Sequence, residues 1–362
     1  MNPLEVWQGW DREVRRILPG IGVWQQRALA LFSLGVASAN HCGTARVGAV
    51  VPGTATVPST TRRFERLLAN DGLAVRASRS AISETVLQQA RGGTVWLALD
   101  ETHQGHTATG ARLGMLALRV LSRERAIPPA WVCSRPGHAP ASFPDLIEAL
   151  IDEVAALVPP ATRVVFMTDR GLSWPSLIDQ CRRVGWSFLL RVQGRTRVRT
   201  SDGRTGTLRD LAPHPGTRWR GTGCAFKDAG WRNVNVVAVW RRGTDQPWLL
   251  VTDLAPTWNH ATHDRHRMDE EESFRDDQSG GFDWDASRVR DPVHMDRLLL
   301  VLQLAACFVL AQGTFVLQHG FRSVLERPDR HTLSVFSLGL RWLDRARSHF
   351  VSLSPHLRLS FT

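Results

Sequence analysis

Between residues 94 and 192, short apolar runs alternate with amphipathic helical patterns, and this order restricts the fold more than any other feature. Thr94–Leu99 (TVWLAL) follows the Gly92–Gly93 pair, is rich in strand formers and ends in Asp100. Ala111–Leu121 and Ala126–Cys133 read as two more strands. Phe143–Leu157 carries Leu146, Ile147, Leu150, Ile151 and Val154 at helical spacing. Arg163–Thr168 (RVVFMT) is the next strand, and it ends in Asp169 before Arg170 and Gly171. A helix over Trp174–Val184 and a strand over Trp186–Val192 complete the series. Three strands, a helix, a strand, a helix and a strand predict an α/β domain.

The pattern changes at Gln193. From there to Gln246 the chain is polar, rich in Thr, Arg and Gly, and strand-like over Arg195–Thr200, Thr217–Gly221 and Asn233–Trp240. It is expected to be a β-rich insertion lying outside the central sheet. Pro247–Leu254 (PWLLVTDL) returns to a buried strand. It leads into Arg265–Ser287, where acid, base and glycine are densest. On a helix, residues three and four apart share a face. Arg267, Glu271, Phe274, Arg275 and Gln278 would then lie together, and Gly280–Gly281 would end the helix. A solvated charged surface helix satisfies the same run taken alone.

The first ninety residues read as helices. Gln25–Ser38 is apolar with small residues, as in a bundle. A Gly/Pro/Thr-rich break at Val51–Ser59 precedes Thr60–Leu68, where Arg62, Arg63 and Arg66 surround Phe64 and Leu67. A short helix, a break and a basic helix suggest a helix-turn-helix arrangement. Met295–Gln318 and Leu333–Arg347 are helical again. Leu298–Leu317 has the length of a membrane span, but Gln303, Gln312 and Gly313 interrupt it, so a buried core helix is expected.

The 362 residues carry a net charge of +11, with a single lysine, Lys227, so the positive charge is almost all arginine. This excess favours a polyanionic partner, nucleic acid ahead of a membrane surface. Five scattered cysteines without a CxxC pair argue for a reducing compartment and against a structural zinc site. The opening MNPLEVWQGWDREVRR lacks the order of a signal peptide. No Ser or Cys lies in a hydrolase motif. His103 and His106 are expected in a loop beside Asp100, and His263 and His266 at the surface or facing phosphate.

Phosphodiester chemistry needs a nucleophile, an in-line leaving oxygen and neutralisation of the charge between them. Two divalent ions held by carboxylates supply all three, and Mg²⁺ prefers oxygen ligands. A lone strand-terminal Asp is more often a turn or cap residue. Asp100, Asp169 and Glu271 in this order are a far more specific signal.

The motifs LALDET (97–102), VFMTDRG (165–171) with GWSFLLRV (185–192), and RMDEEESFRD (267–276) resemble the DDE transposases of bacterial insertion sequences, most closely the insertion-sequence-four-like group. The resemblance spans about residues 60 to 345. It implies a ribonuclease-H-like (retroviral-integrase-like) catalytic core, in which the ends of the first and fourth strands lie side by side. The family also carries a β-strand insertion between its second acid and its glutamate. The implied layout is a helical DNA-binding domain (1–90), the first part of the core (91–192), the insertion (193–246), the last strand and glutamate helix (247–290), and a helical C-terminal region (291–362). Asp100, Asp169 and Glu271 would hold two Mg²⁺ ions, with Mn²⁺ as a substitute. Hydrolysis of one strand at the element end would free a 3′-hydroxyl, which attacks the other strand or the target DNA. Arg267, Arg275, Gln278 and Arg170 would contact phosphate, and Arg62, Arg63 and Arg66 the terminal inverted repeats. The implied partners are double-stranded DNA and a second copy of the chain in a synaptic dimer, with no membrane; the implied location is the cytoplasm, on the nucleoid. One tryptophan among Trp219, Trp231, Trp240 and Trp248 would stack on a flipped base if a hairpin forms. The family pattern around the glutamate is Tyr, two residues, Arg, three residues, Glu, six residues, Lys. Arg267 and Glu271 match it. Asp264 stands where the family has Tyr, and Gln278 where it has Lys. An Asp repels phosphate, whereas a Gln still donates a hydrogen bond. A non-catalytic, transposase-derived DNA-binding protein is the competing expectation.

Overall fold

One mixed sheet of ten strands runs through the protein, in the order β3-β2-β1-β4-β5-β10-β9-β8-β6-β7. The structure is a computed structural model and describes residues 3–104, 113–122, 125–263, 282–327, 329, 332–349 and 351–359. The strands are β1 (Thr94–Gln104), β2 (Leu113–Ser122), β3 (Arg125–Ser134), β4 (Arg163–Thr168), β5 (Ser187–Arg191), β6 (Arg197–Thr200), β7 (Thr205–Thr207), β8 (Arg218–Ala225), β9 (Arg232–Val239) and β10 (Trp248–Thr252). β1, β2 and β3 form an antiparallel meander, while β4 lies parallel to β1 and β5 parallel to β4. The remaining pairings are antiparallel.

The strands alternate, so the sheet has two distinct faces. One face carries Leu97, Leu99, Phe166, Phe188, Leu190, Val236 and Val251. It is covered by α6 (Phe143–Ala155) and α7 (Pro175–Arg183), which bury Ile147, Ile151, Leu177 and Ile178. Ser142 caps α6 by accepting from the Asp145 amide, and Pro144 sits in the first turn, where its missing N–H costs nothing. The opposite face is covered in two pieces. Over β2 and β3 lies a helical layer whose core takes in Met115, Ala117, Ile127 and Trp131. Over β4, β5, β10 and β9, Met167, Leu189, Leu250 and Val237 pack with Leu254 and Trp258, just before α8 (His260–His263).

The helical layer joins α1 (Pro3–Ile17), α2 (Val23–Ala39), α3 (Thr44–Val50), α4 (Val57–Leu68) and α5 (Val75–Gln88) to α9 (Pro292–Gln318) and α11 (Val335–His349), with the short α10 (Arg322–Leu325) between the last two. The N-terminal and C-terminal helices thus share one core. α9 is long and apolar enough to cross a membrane, but 89% of its most apolar window is buried inside the protein. Its glutamines explain why: Gln303 donates to Ser83 and to the Pro128 carbonyl, and Gln312 to the Ser354 carbonyl. α9 and α11 cross at glycine on both sides. A Cβ at Gly313 would lie 1.9 Å from the Val335 carbonyl oxygen, and one at Gly339 2.0 Å from that of Val309.

Three expectations need correction. Asp100 does not end β1; the strand continues to Gln104 because Asp100–Gln104 keeps its ladder with β2. What ends at Leu99 is the pairing with β4. His103 is therefore a strand residue, 3.3 Å from Glu101, and not a loop residue; His106 lies outside the described residues. Second, the strands between Gln193 and Gln246 continue the central sheet. β10 is buried and has two edges; β5 pairs with one, and β9, a short turn upstream, closes the other. Third, α4 begins at Val57, inside the expected break, because Thr56 caps it and Pro58 suits its first turn.

Candidate active site

Asp100 and Asp169 follow Leu99 and Thr168, which are register partners on the parallel strands β1 and β4. Alternation puts Asp100 on the face of Ala98, and Asp169 continues the row of Val165 and Met167 on that same face. Both are half-buried. They lie where the two coverings of that face leave off, between the helical layer and the Trp258 segment. Asp100 Oδ1 accepts from the Glu101 amide at 2.8 Å. Asp169 Oδ1 accepts from the amides of Gly171 and Leu172 at 2.8 and 2.9 Å, which folds the strand end into a tight turn. Among the described residues no donor reaches its Oδ2. A Cβ on Gly171 would sit 3.3 Å from Oδ1, so glycine lets the turn close on the carboxylate.

Asp169 opens into a depression of about 520 Å³ lined by Arg170, Gly171, Gln193, Gly194 and Arg195. Arg170 is exposed and donates to Gln246, which ties the turn to the loop before β10. Gln193 and Arg195 had not been expected beside Asp169; their signal was their position directly after a strand parallel to β4. Arg119, fully buried on β2, stands opposite Ala98 on the face of Asp100. An arginine within the apolar run LGMLALRVL was the available sign.

Glu271, Arg267, Arg275 and Gln278 lie outside the described residues, as does His266. The described residues on either side of that segment pack into the fold. On one side Trp258 and α8 pack over β9 and β10. On the other, Phe282 and Trp284 enter the helical core, the Cys42 amide donates to the Phe282 carbonyl at 2.6 Å, and Gln104 at the end of β1 donates to the Trp284 carbonyl at 3.3 Å. His41 lies 3.6 Å from Asp283; burial, helped by the charge of Arg46, keeps its imidazole below the usual histidine range. The carboxylates of Asp100 and Asp169 therefore lie on the face between the two anchors.

As hard oxygen donors on neighbouring parallel strands, Asp100 where the pairing of β1 with β4 stops and Asp169 just past β4, with one Asp169 oxygen turned away from the backbone turn, these two residues fit a divalent cation. No cluster of three metal-ligating side chains occurs among the described residues. Arg62, Arg63 and Arg66 are far along the chain from this site. They are exposed on α4, whose other face buries Phe64, Leu67 and Leu68. Arg62 and Arg66 line an open depression of about 730 Å³ with Thr56, Ser59 and Glu65. α3 packs closely enough on α4 that a Cβ at Gly48 would meet Thr61 Oγ1 at 2.9 Å. Compared with known proteins, the chain matches no protein-family model and no curated relative.

Proposed function

We propose that the protein is a DDE transposase that cleaves DNA at the ends of an insertion sequence and transfers the freed strand. The observation that carries this is the pair Asp100 and Asp169, one residue past partnered positions on parallel strands and on one face of the sheet. The order β3-β2-β1-β4-β5, with an antiparallel meander and two parallel strands, supports a ribonuclease-H-like core. The described residues flanking the segment that carries Glu271 pack on the sheet, Trp258 against the cluster that holds Met167 and Leu189 and Trp284 at the end of β1, which supports Glu271 as the third carboxylate.

On this reading Asp100, Asp169 and Glu271 hold two Mg²⁺ ions, and Mn²⁺ can replace them. When bound, the ions neutralise charge at the reacting phosphate and activate the attacking oxygen. Arg170 and Arg195, beside Asp169, hold the phosphate that enters the depression, and Arg267, Arg275 and Gln278 act on the same strand. Arginine suits the task because its planar fork grips phosphate with two hydrogen bonds. The exposed arginines of α4 bind the terminal inverted repeats, and two copies of the chain join two element ends. The setting is the nucleoid in the cytoplasm, with α9 as a core helix.

A second reading, a transposase-derived protein that binds DNA without cutting it, is favoured by Asp264 and Gln278 at positions where the family has Tyr and Lys. One experiment separates the two. The DNA flanking the gene supplies the candidate inverted repeats, and that duplex is incubated with the protein and Mg²⁺. Nicking at the repeat end supports the transposase; binding without nicking supports the second reading.

A further inference from the structure

Beyond β5 the sheet carries an arginine strip on the face of Asp100 and Asp169. The register fixes this. Thr168 partners Leu190, so Arg191 is level with Asp169; Arg191 partners Leu250, Leu250 partners Val237, and Val237 partners Arg220. Trp248 partners Val239, which partners Arg218. Arg218 and Arg220 are exposed and alternate with Trp219, which turns to the other face. Both guanidinium groups lie 4.8 Å from the ring of Trp258, and Arg241 lies 4.5 Å from that of Trp248. None of the three forms an ion pair with a described residue. Stacking on tryptophan holds an arginine flat and keeps its N–H groups outward. Less side-chain freedom is then lost when a ligand binds.

We infer that Arg218, Arg220 and Arg241 form a second phosphate-binding surface, which takes the backbone of duplex DNA running away from the cleavage site. Four strand spacings separate β4 from β8, about 19 Å. This is the length of about six base pairs at ~3.4 Å each. Arg218 and Arg220 stand about 6.8 Å apart along their strand, across the line from β4 to β8, so they widen the strip. The strip therefore contacts a duplex flank about six base pairs from the scissile phosphate. The inference rests on the DNA reading above, and it is tested without cleavage.

Binding of the full chain to a labelled duplex of arbitrary sequence is measured across salt concentrations, for the wild type and for Arg218→Gln/Arg220→Gln/Arg241→Gln. Each lost phosphate contact lowers the log–log salt slope by about 0.9, so the slope should fall by roughly two to three units. The corresponding triple Lys variant keeps the charges and should retain most of the slope. An unchanged slope in the Gln variant overturns the strip, and if the wild type still nicks the repeat duplex the transposase reading stands. Equal loss in the Gln and Lys variants marks a structural effect and also overturns the strip. A slope that falls as expected in a protein that never nicks supports the strip and removes the catalytic reading. A wild type that binds no duplex overturns both.

Discussion

At the scale of single residues, the account turns on two carboxylates placed where the parallel pairing of β1 and β4 stops and on the cations around them. An apolar run closed by Asp is visible in sequence, and so are Asp100 and Asp169. Their shared face is also legible, because a period of two carries from Ala98 and Met167 to the two acids. The turn that binds Asp169 Oδ1 is local to residues 169–172, but the arrival of Arg195 beside it was not legible, since it depends on how β5 exits the sheet. Two substitutions test the basic positions. Arg267→Ala removes a phosphate contact, so end binding should weaken and the salt slope should shrink by about one unit. Gln278→Lys adds one, so gel-shift titrations should show tighter binding and a slope steeper by about one unit. No change in either variant would remove these residues from the interface.

At the scale of elements, helix and strand positions were readable from apolar spacing, as over Phe143–Leu157, whereas the start of α9 at Pro292, three residues before the expected Met295, is set by the Asp291 cap. Helix contacts were not readable. Nothing in the pattern of α9 says that Gly313 and Gly339 sit at its crossing with α11. Gly339→Ala would force a methyl onto a backbone carbonyl, and overpacking of this kind costs about 1–3 kcal/mol or more. Chemical denaturation should show that loss; an unchanged midpoint would mean the helices are not this close. Before α11, Glu326 accepts from the amides of Thr332 and Leu333 and pairs with Arg322 at 2.9 Å. Burial opposes its charge, but these donors win and hold the carboxyl down at about 2, against 4.5 ordinarily. A depressed carboxyl stabilises the fold above its ordinary range and loses that effect as pH falls toward the depressed value. Glu326→Gln should therefore lower the melting temperature at neutral pH, and the gap to wild type should close as pH falls from about 4.5 to about 2. A gap that does not change with pH would rule out the charge as its cause.

At the scale of the whole molecule, the sheet does not stop where the sequence pattern changes. The polar composition after Gln193, rich in Thr, Arg and Gly, suggested a separate unit. Alternation concealed the continuity: Val198, Val234, Val236 and Ala238 line the same core as β1 and β4, while Val237 between them packs on the opposite face. Deleting residues 193–246 should leave β10 with an unpaired edge. The product is expected to aggregate on size-exclusion chromatography, and a monodisperse, folded product would show that the extension is dispensable. The central claim is that Asp100, Asp169 and Glu271 act as one metal-dependent cleavage site beside separate cationic binding groups. Its most direct test is Mg²⁺-dependent nicking of the repeat duplex, run beside gel shifts, for Asp100→Asn, Asp169→Asn and Glu271→Gln. Each variant should lose cleavage and keep nearly wild-type binding. Continued cleavage by any of the three would contradict the claim.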